Sequence, residues 1–187
     1  INGVANADES VQIDNATAAI KINRSFSFRN IVINEILADP EPGLQTAEYL
    51  ELLNLTNGTI DLEGFQVDGF GSALPSFELG AGAFVVLTSS PGDFTVATVD
   101  VGSGALTNGG ETLRLLDAND NLLDEVTYDD AWYTEDLVGN GISLEQINPR
   151  AACGGAINWT SSTATSGGTP GAQNASFDDS EDQQAPG

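Results

Sequence analysis

Ile31-Val32-Ile33-Asn34-Glu35-Ile36-Leu37, then Asp39-Pro40-Glu41-Pro42-Gly43, then Tyr49-Leu50-Glu51-Leu52-Leu53-Asn54-Leu55, is the stretch from which the architecture of this chain can be argued. The first run is short and β-branched, which favours a strand over a helix. Proline and glycine end it. The second run closes at Asn57-Gly58, a turn signal. In a strand, Glu48, Leu50, Leu52 and Asn54 share one face while Tyr49, Glu51, Leu53 and Leu55 share the other. Large apolar residues stand on both faces, so this run reads as a central strand covered from both sides. Glu51 then lies near the core, where an ionised carboxylate needs partners. Backbone N–H groups or Arg114 are the candidates.

The pattern repeats outward from this point. Phe65 to Asp68 reads as a short strand. Phe77 to Leu79 leads through Gly80-Ala81-Gly82 into Phe84-Val85-Val86-Leu87, which reads as a hairpin. Thr112-Leu113-Arg114-Leu115-Leu116 and Leu122 to Tyr128 flank Asp117-Ala118-Asn119-Asp120-Asn121, a second hairpin. Ile142 to Gln146 and Ala156 to Trp159 complete the set. No segment carries apolar residues at helical spacing over a dozen positions. Many short strands with frequent turn signals predict an all-β sandwich or barrel.

The ends differ from this body. Residues 1–29 read as a leader: Ala18, Ile20 and Ile22 alternate with Ala19, Lys21 and Asn23, and Ser25-Phe26-Ser27-Phe28 continues the alternation, as in the last strands of a preceding β domain. Residues 175–187 read as an acidic linker, because Asp178, Asp179, Glu181 and Asp182 repel one another. The chain has no Met and starts at Ile1, which suggests a piece of a larger, processed protein.

Charge excludes some functions. There are 5 Lys+Arg against 28 Asp+Glu, a formal net charge of −23, and no His. Phosphate contacts need cations on the protein, so nucleic acid is not an expected partner, and an anionic membrane surface is repelled. A solvated acidic surface is the simplest reading. Cys153 is the single cysteine, so no internal disulfide forms. With no histidine to activate it, a nucleophilic role is not expected. No apolar run approaches the ~18 residues of a membrane span.

Four strings, in order, resemble the lamin tail domain: Ile33-Asn34-Glu35-Ile36, the Asp39-Pro40 turn, Glu48-Tyr49-Leu50-Glu51-Leu52-Leu53-Asn54 and Asp61-Leu62-Glu63-Gly64-Phe65. Gly167-Gly168-Thr169-Pro170-Gly171-Ala172-Gln173-Asn174 also resembles the closing motif of bacterial members of that family. The resemblance covers about residues 30–174. It implies an immunoglobulin-like two-sheet β-sandwich of about eight or nine strands with no enzymatic activity of its own. It further implies attachment to exported bacterial proteins, among them nucleases and hydrolases. The eukaryotic members follow a coiled coil, but no heptad repeat is visible here.

Each chemical motif has a structural competitor. Glu51 with Glu35 or Glu48 could form a carboxylate pair, but such catalysis needs a cleft, and short-looped sandwiches rarely provide one; no catalytic residues are assigned. Asp117, Asn119 and Asn121 begin like a calcium loop, yet Leu122 stands where that loop needs Gly and Tyr128 where it needs Glu, so a tight hairpin turn is preferred. Asp39, Glu41 and Glu48 crowd one Pro-Gly turn and are the candidate Ca²⁺ ligands. Trp132 and Tyr133, beside Asp129, Asp130, Glu135 and Asp136, are the candidate surface for a glycan or protein partner. Gly64 is expected to supply a turn, and Phe65 and Trp159 to anchor the core. The leading expectation is a non-catalytic structural or interaction module, secreted or at a bacterial cell surface. It would anchor, space or dock a larger exported protein, as a monomer or through weak sheet-edge pairing. The alternatives are a calcium- or carbohydrate-binding adhesion module and an accessory domain of an extracellular nuclease or hydrolase.

Overall fold

Alternation in the two central strands builds two layers around one core. The computed structural model describes residues 11–12, 21–22, 26–45, 47–134, 140–151 and 155–180. Strands β1 (Val11–Gln12) and β2 (Lys21–Ile22) pair antiparallel in the leader. Strand β3 (Ile31–Leu37) pairs antiparallel with β4 (Tyr49–Asn54), and every residue of both is buried. The remaining strands are β5 (Ile60–Asp61), β6 (Gln66–Val67), β7 (Glu78–Leu79), β8 (Phe84–Thr88), β9 (Thr98–Asp100), β10 (Gly110–Leu116), β11 (Leu122–Asp129), β12 (Leu144–Gln146) and β13 (Trp159–Ser161). The main sheet has the order β13-β12-β3-β4-β8-β9, with β9 parallel to β8. The facing sheet has the order β11-β10-β6, and β5 pairs with β7. The result is an all-β, immunoglobulin-like sandwich. Thirteen strands are found among the described residues, more than the predicted eight or nine, because five of them are only two residues long.

Leu50 and Leu52 face the second sheet and join Ile31, Ile33, Ile36, Val85, Leu113, Leu115 and Val126 in the main core. Each fully buried aliphatic side chain contributes about 1.5–3 kcal/mol. Phe65 and Trp159 belong to the same core, as expected. Tyr49 and Val86 face the other way and form a second cluster with Leu37, flanked by Phe94 and Val96. The central-strand reading of β4 therefore holds, with β3 and β8 on its two sides.

A bulge sets which residues of β3 reach that second face. Ile33 pairs with Leu52 and Glu35 with Glu51, so Asn34 is an extra residue without a partner of its own. Ile33 and Ile36 are three apart, out of phase for a regular strand. The extra residue restores the phase: both isoleucines enter the core, and Asn34 and Glu35 are directed to the opposite face.

The predicted hairpin between Phe77 and Leu87 does not form. β7 pairs with β5, and β8 pairs with β4. Asn54 causes the divergence, because its Nδ2 donates to the Leu79 carbonyl at 2.9 Å and the Gly80 carbonyl at 3.0 Å, turning the chain there. The hairpin of β10 and β11 forms as predicted: Asp117 Oδ1 accepts from the Asn119 and Asn121 amides, closing the turn at 2.8 and 2.9 Å. Gly64 adopts φ +80°, a conformation cheap only for glycine.

Two further expectations shift. Phe26 to Phe28 is not a strand; the segment turns, with Ser27 N–H donating to Asn30 Oδ1, and Phe26 packs edge-on against Phe65 at 5.4 Å. Residues 156–158 form a 3-10 turn before β13. Arg29 and Asp124 join the layers. The Asp124 carboxylate accepts from Arg29 at 3.0 Å and from the Ile33 amide of β3 at 2.8 Å. Burial pushes the Asp124 pKa up to about 6, while Arg29 pulls it down. No helix among the described residues is long and apolar enough to cross a membrane.

Candidate functional site

Three glutamates meet on the outer face of the main sheet because three adjacent strands place them in register. Glu145 of β12 lies directly opposite Glu35 of β3, and Glu35 directly opposite Glu51 of β4. All three are fully buried. Side chains directly opposite one another in an antiparallel pair have Cβ atoms about 4.5–5.5 Å apart, and like charges there repel.

The cover is a strap formed by residues 167–176. Its backbone supplies the donors: Thr169 N–H to Glu35 Oε1 at 2.8 Å, Gly171 N–H to Glu51 Oε2 and Ser176 N–H to Glu145 Oε2 at 2.8 Å. Side chains complete the set. Ser143 and Tyr49 hydroxyls donate to Glu35 Oε1, Asn34 Nδ2 to Glu51 Oε1 at 2.8 Å, and the Ser162 hydroxyl to Glu145 Oε1. Asn174 fastens the strap to the bulge, since its Nδ2 donates to the Asn34 and Gln146 carbonyls and its Oδ1 accepts from Asn34 Nδ2. Gly168 is required by space: a Cβ there would fall on the Tyr49 hydroxyl and 2.7 Å from Glu35 Oε1.

Burial favours the protonated form of Glu51 and Glu35. Burial raises the Glu51 pKa to about 8, and the Glu35 charge adds to that rise against the donors from Gly171 and Asn34. Burial also raises Glu35, opposed by Ser143, Thr169 and Tyr49. Tyr49 is pushed well above the usual phenol range, first by burial and then by Glu35, so it stays a donor. Geometry points the same way. Thr169 Oγ1 lies 3.3 Å from Glu35 Oε2 and 3.0 Å from Glu145 Oε1. One hydroxyl has one proton, so a carboxyl proton is needed to make both contacts hydrogen bonds.

The arrangement fastens; it does not present reactive oxygens. Every carboxylate oxygen of the three already accepts a hydrogen bond. Among the described residues, no three Asp, Glu or Cys side chains are grouped to hold a metal ion. Sequence reasoning placed Glu51 near the core and offered backbone N–H groups or Arg114 as its partners; the Gly171 amide is such a partner, whereas Arg114 belongs to the facing sheet and pairs with Glu125 at 2.6 Å. Glu145 was missed. Its signal was a lone acid inside the apolar-flanked run Ile142 to Gln146.

The proposed calcium ligands Asp39, Glu41 and Glu48 are not brought together. The Glu48 carboxylate caps the Leu106 amide at 2.8 Å, Asp39 faces the Tyr133 phenol, and Glu41 is exposed with its backbone against Gly141. The surrounding turn sends the three side chains to different elements. Asp117 and Asn121 spend their polar atoms within the hairpin turn.

Trp132 and Tyr133 are half-buried against the main core, with Trp132 tilted on Trp159 at 6.2 Å. Burial raises the Tyr133 pKa to about 12. Asp129 caps the short 3-10 turn by accepting from the Ala131 amide, and Asp130 is exposed. Trp132 still walls an open groove of about 290 Å³ with Phe28, Arg29, Glu125 and Thr127. Cys153, Glu135, Asp136 and residues 181–187 lie outside the described residues.

A family model described as Lamin Tail Domain matches residues 24–130. No curated protein matches the chain. The matched stretch contains β3 to β11, with Glu35 and Glu51; Glu145 and the strap follow it.

Proposed function

This chain belongs to the lamin tail domain family, and from that premise we propose that it serves as a non-catalytic module of a larger exported bacterial protein, anchoring, spacing or docking that protein at the cell surface. One observation supports this above the others. The row of converging acids in the fold, Glu35, Glu51 and Glu145, is sealed beneath the strap, with each carboxyl engaged by its own protein's donors. Work is then left to exposed loops and sheet edges. The edge strands of the main sheet, β9 and β13, have three residues each, short enough to discourage strand addition there, while the facing sheet presents the eight-residue edge strand β11. The net charge of −23 weighs against a nucleic-acid role beside an exported nuclease.

The isolated domain is expected to show no turnover of nitrophenyl glycosides, esters or phosphodiesters. In the parent protein, removing residues 30–174 is expected to shift it from the cell surface to the medium. A turnover that Glu35→Gln abolishes while the fold persists would overturn the non-catalytic reading, and unchanged surface display would overturn the anchoring one.

A second reading, glycan binding, is favoured by the Trp132 groove, which sets an aromatic wall beside the polar Glu125 and Thr127. A glycan array is expected to give signals that Trp132→Ala removes and EDTA leaves intact. A silent array eliminates it.

A further inference from the structure

Strand β11 has eight residues and stands at the edge of the facing sheet, with β10 on one side and, among the described residues, no strand on the other. Its neighbours fix the direction of its backbone. The Arg114 carbonyl accepts from the Asp68 amide at 2.9 Å, so the backbone of Arg114 faces β6. Glu125 lies directly opposite Arg114. Opposed residues of an antiparallel pair either exchange their hydrogen bonds or both turn away. The N–H and C=O of Glu125 therefore face outward, as do those of Thr127 two positions on.

The chain closes the first half of this edge itself. The Leu123 carbonyl accepts from the Arg29 amide at 2.6 Å, and the Asp124 carboxylate draws on the Glu125 amide. Glu125 C=O and both backbone groups of Thr127 are left without a backbone partner among the described residues. Open edges of this kind are normally blunted; here Glu125, Val126 and Thr127 instead line the groove of about 290 Å³ that also holds Phe28 and Trp132.

Side chains select the occupant. Glu125 and Thr127 point outward, and Val126 points into the core. Glu125, Asp129 and Asp130 are exposed along this edge, in a chain of net charge −23. A second copy paired through the same edge would set these acids against their own kind, which is unfavourable. A basic strand is complementary to them.

We propose that the outer edge of β11 binds an extended, basic segment of a partner protein by strand addition. One residue of that segment exchanges both backbone hydrogen bonds with Thr127. The next is apolar and turns inward beside Val126. The one after donates its N–H to Glu125 C=O and sets a lysine or arginine alongside the Glu125 carboxylate. The inference rests on the interaction-module reading and names the chemistry of one docking partner. It favours a peptide over a glycan in this groove, because outward main-chain groups are matched by another main chain.

The test is a titration of the full ¹⁵N-labelled chain with the peptide acetyl-Lys-Thr-Val-Lys-Val-Thr-Lys-amide, which carries its valines on one face and its threonines and central lysine on the other. Saturable shifts are expected at the Glu125 to Asp129 amides, with slowed exchange of the Thr127 N–H. N-methylation of the first threonine and the central lysine should weaken binding about tenfold or more, the loss of two ladder bonds, whereas N-methylation of the two valines should weaken it less than about threefold. Thr127→Pro removes the outward donor and leaves the β10 ladder intact, so the variant is expected to fold and to lose the shifts; the methylated peptides decide the matter even if it does not fold. Glu125→Gln and high salt should each weaken binding. Absence of saturable shifts, or equal weakening by the two methylated peptides, overturns the proposal. Shifts that follow protein concentration without peptide, with dimer in sedimentation, would assign the edge to a second copy and overturn it as well. A glycan that moves these amides while the peptide leaves them in place would do the same. Any of these failures leaves the turnover and surface-display results untouched.

Discussion

Raising the pH from about 5 to about 9 is expected to remove on the order of 4 kcal/mol of folding stability through Glu51, and Glu51→Gln is expected to abolish most of that loss. Glu51 titrates near 4.5 when unfolded and near 8 in the folded chain. Between those values the folded state binds a proton that the unfolded state lacks. Stability from this group is therefore complete below about 4.5 and is lost as the pH rises through about 8. The overall acidity works in the same direction, because the net charge of −23 also opposes the compact state at high pH. The variant separates the two effects, since it retains every other acid. Its amide cannot accept from both Asn34 and Gly171, so it starts about 1–2 kcal/mol lower at pH 5. It should then cross above the wild type near neutrality. Urea unfolding at five or six pH values measures both curves; parallel curves would exclude a protonated Glu51.

Gly168→Ala is expected to cost about 4 kcal/mol, roughly half from overpacking and half from hydrogen bonds lost to the glutamate row. The added methyl would meet the Tyr49 hydroxyl, Glu35 Oε1 and Ser143 Oγ, none of which can retreat without giving up its own bond. The strap must lift instead. Hydrogen exchange should show the Thr169, Gly171 and Ser176 amides losing protection ahead of β10 and β11. Gly58→Ala is the control: nothing lies within 4 Å of its Cβ position, and a change within about 0.5 kcal/mol is expected. Equal protection of the strap in the two variants would sink the idea that residues 167–176 are held chiefly by these carboxyls.

Period-two alternation made β3, β4, β10 and β11 legible, along with the two-sided burial of β4. What alternation cannot express is a contact across many residues. The Phe77–Leu87 hairpin failed because the Asn54 side chain captures carbonyls 25 and 26 positions away. Strand β9 was missed because its parallel partner β8 gives no turn between them to read. The bulge at Asn34 left a trace, two isoleucines three positions apart, that could have been recognised as a phase error. The strap could not be anticipated from its composition, since Gly-Gly-Thr-Pro-Gly reads as loop wherever it stands; its value lies in bare amides delivered to acids more than a hundred residues upstream. Trp132 and Tyr133 stood out as an aromatic pair beside acids, but burial against Trp159 takes part of the surface that such a pair would offer.

The order of the chain has a consequence for how the molecule is made. Synthesis runs from the amino end, so Glu35 emerges 134 residues before the Thr169 amide that will cap it. Until then the main core can condense while the far side of the sheet stays wet and ionised. Completion is therefore a late, proton-consuming event, and a newborn chain halted before the strap would be folded on one side of that sheet and unfinished on the other.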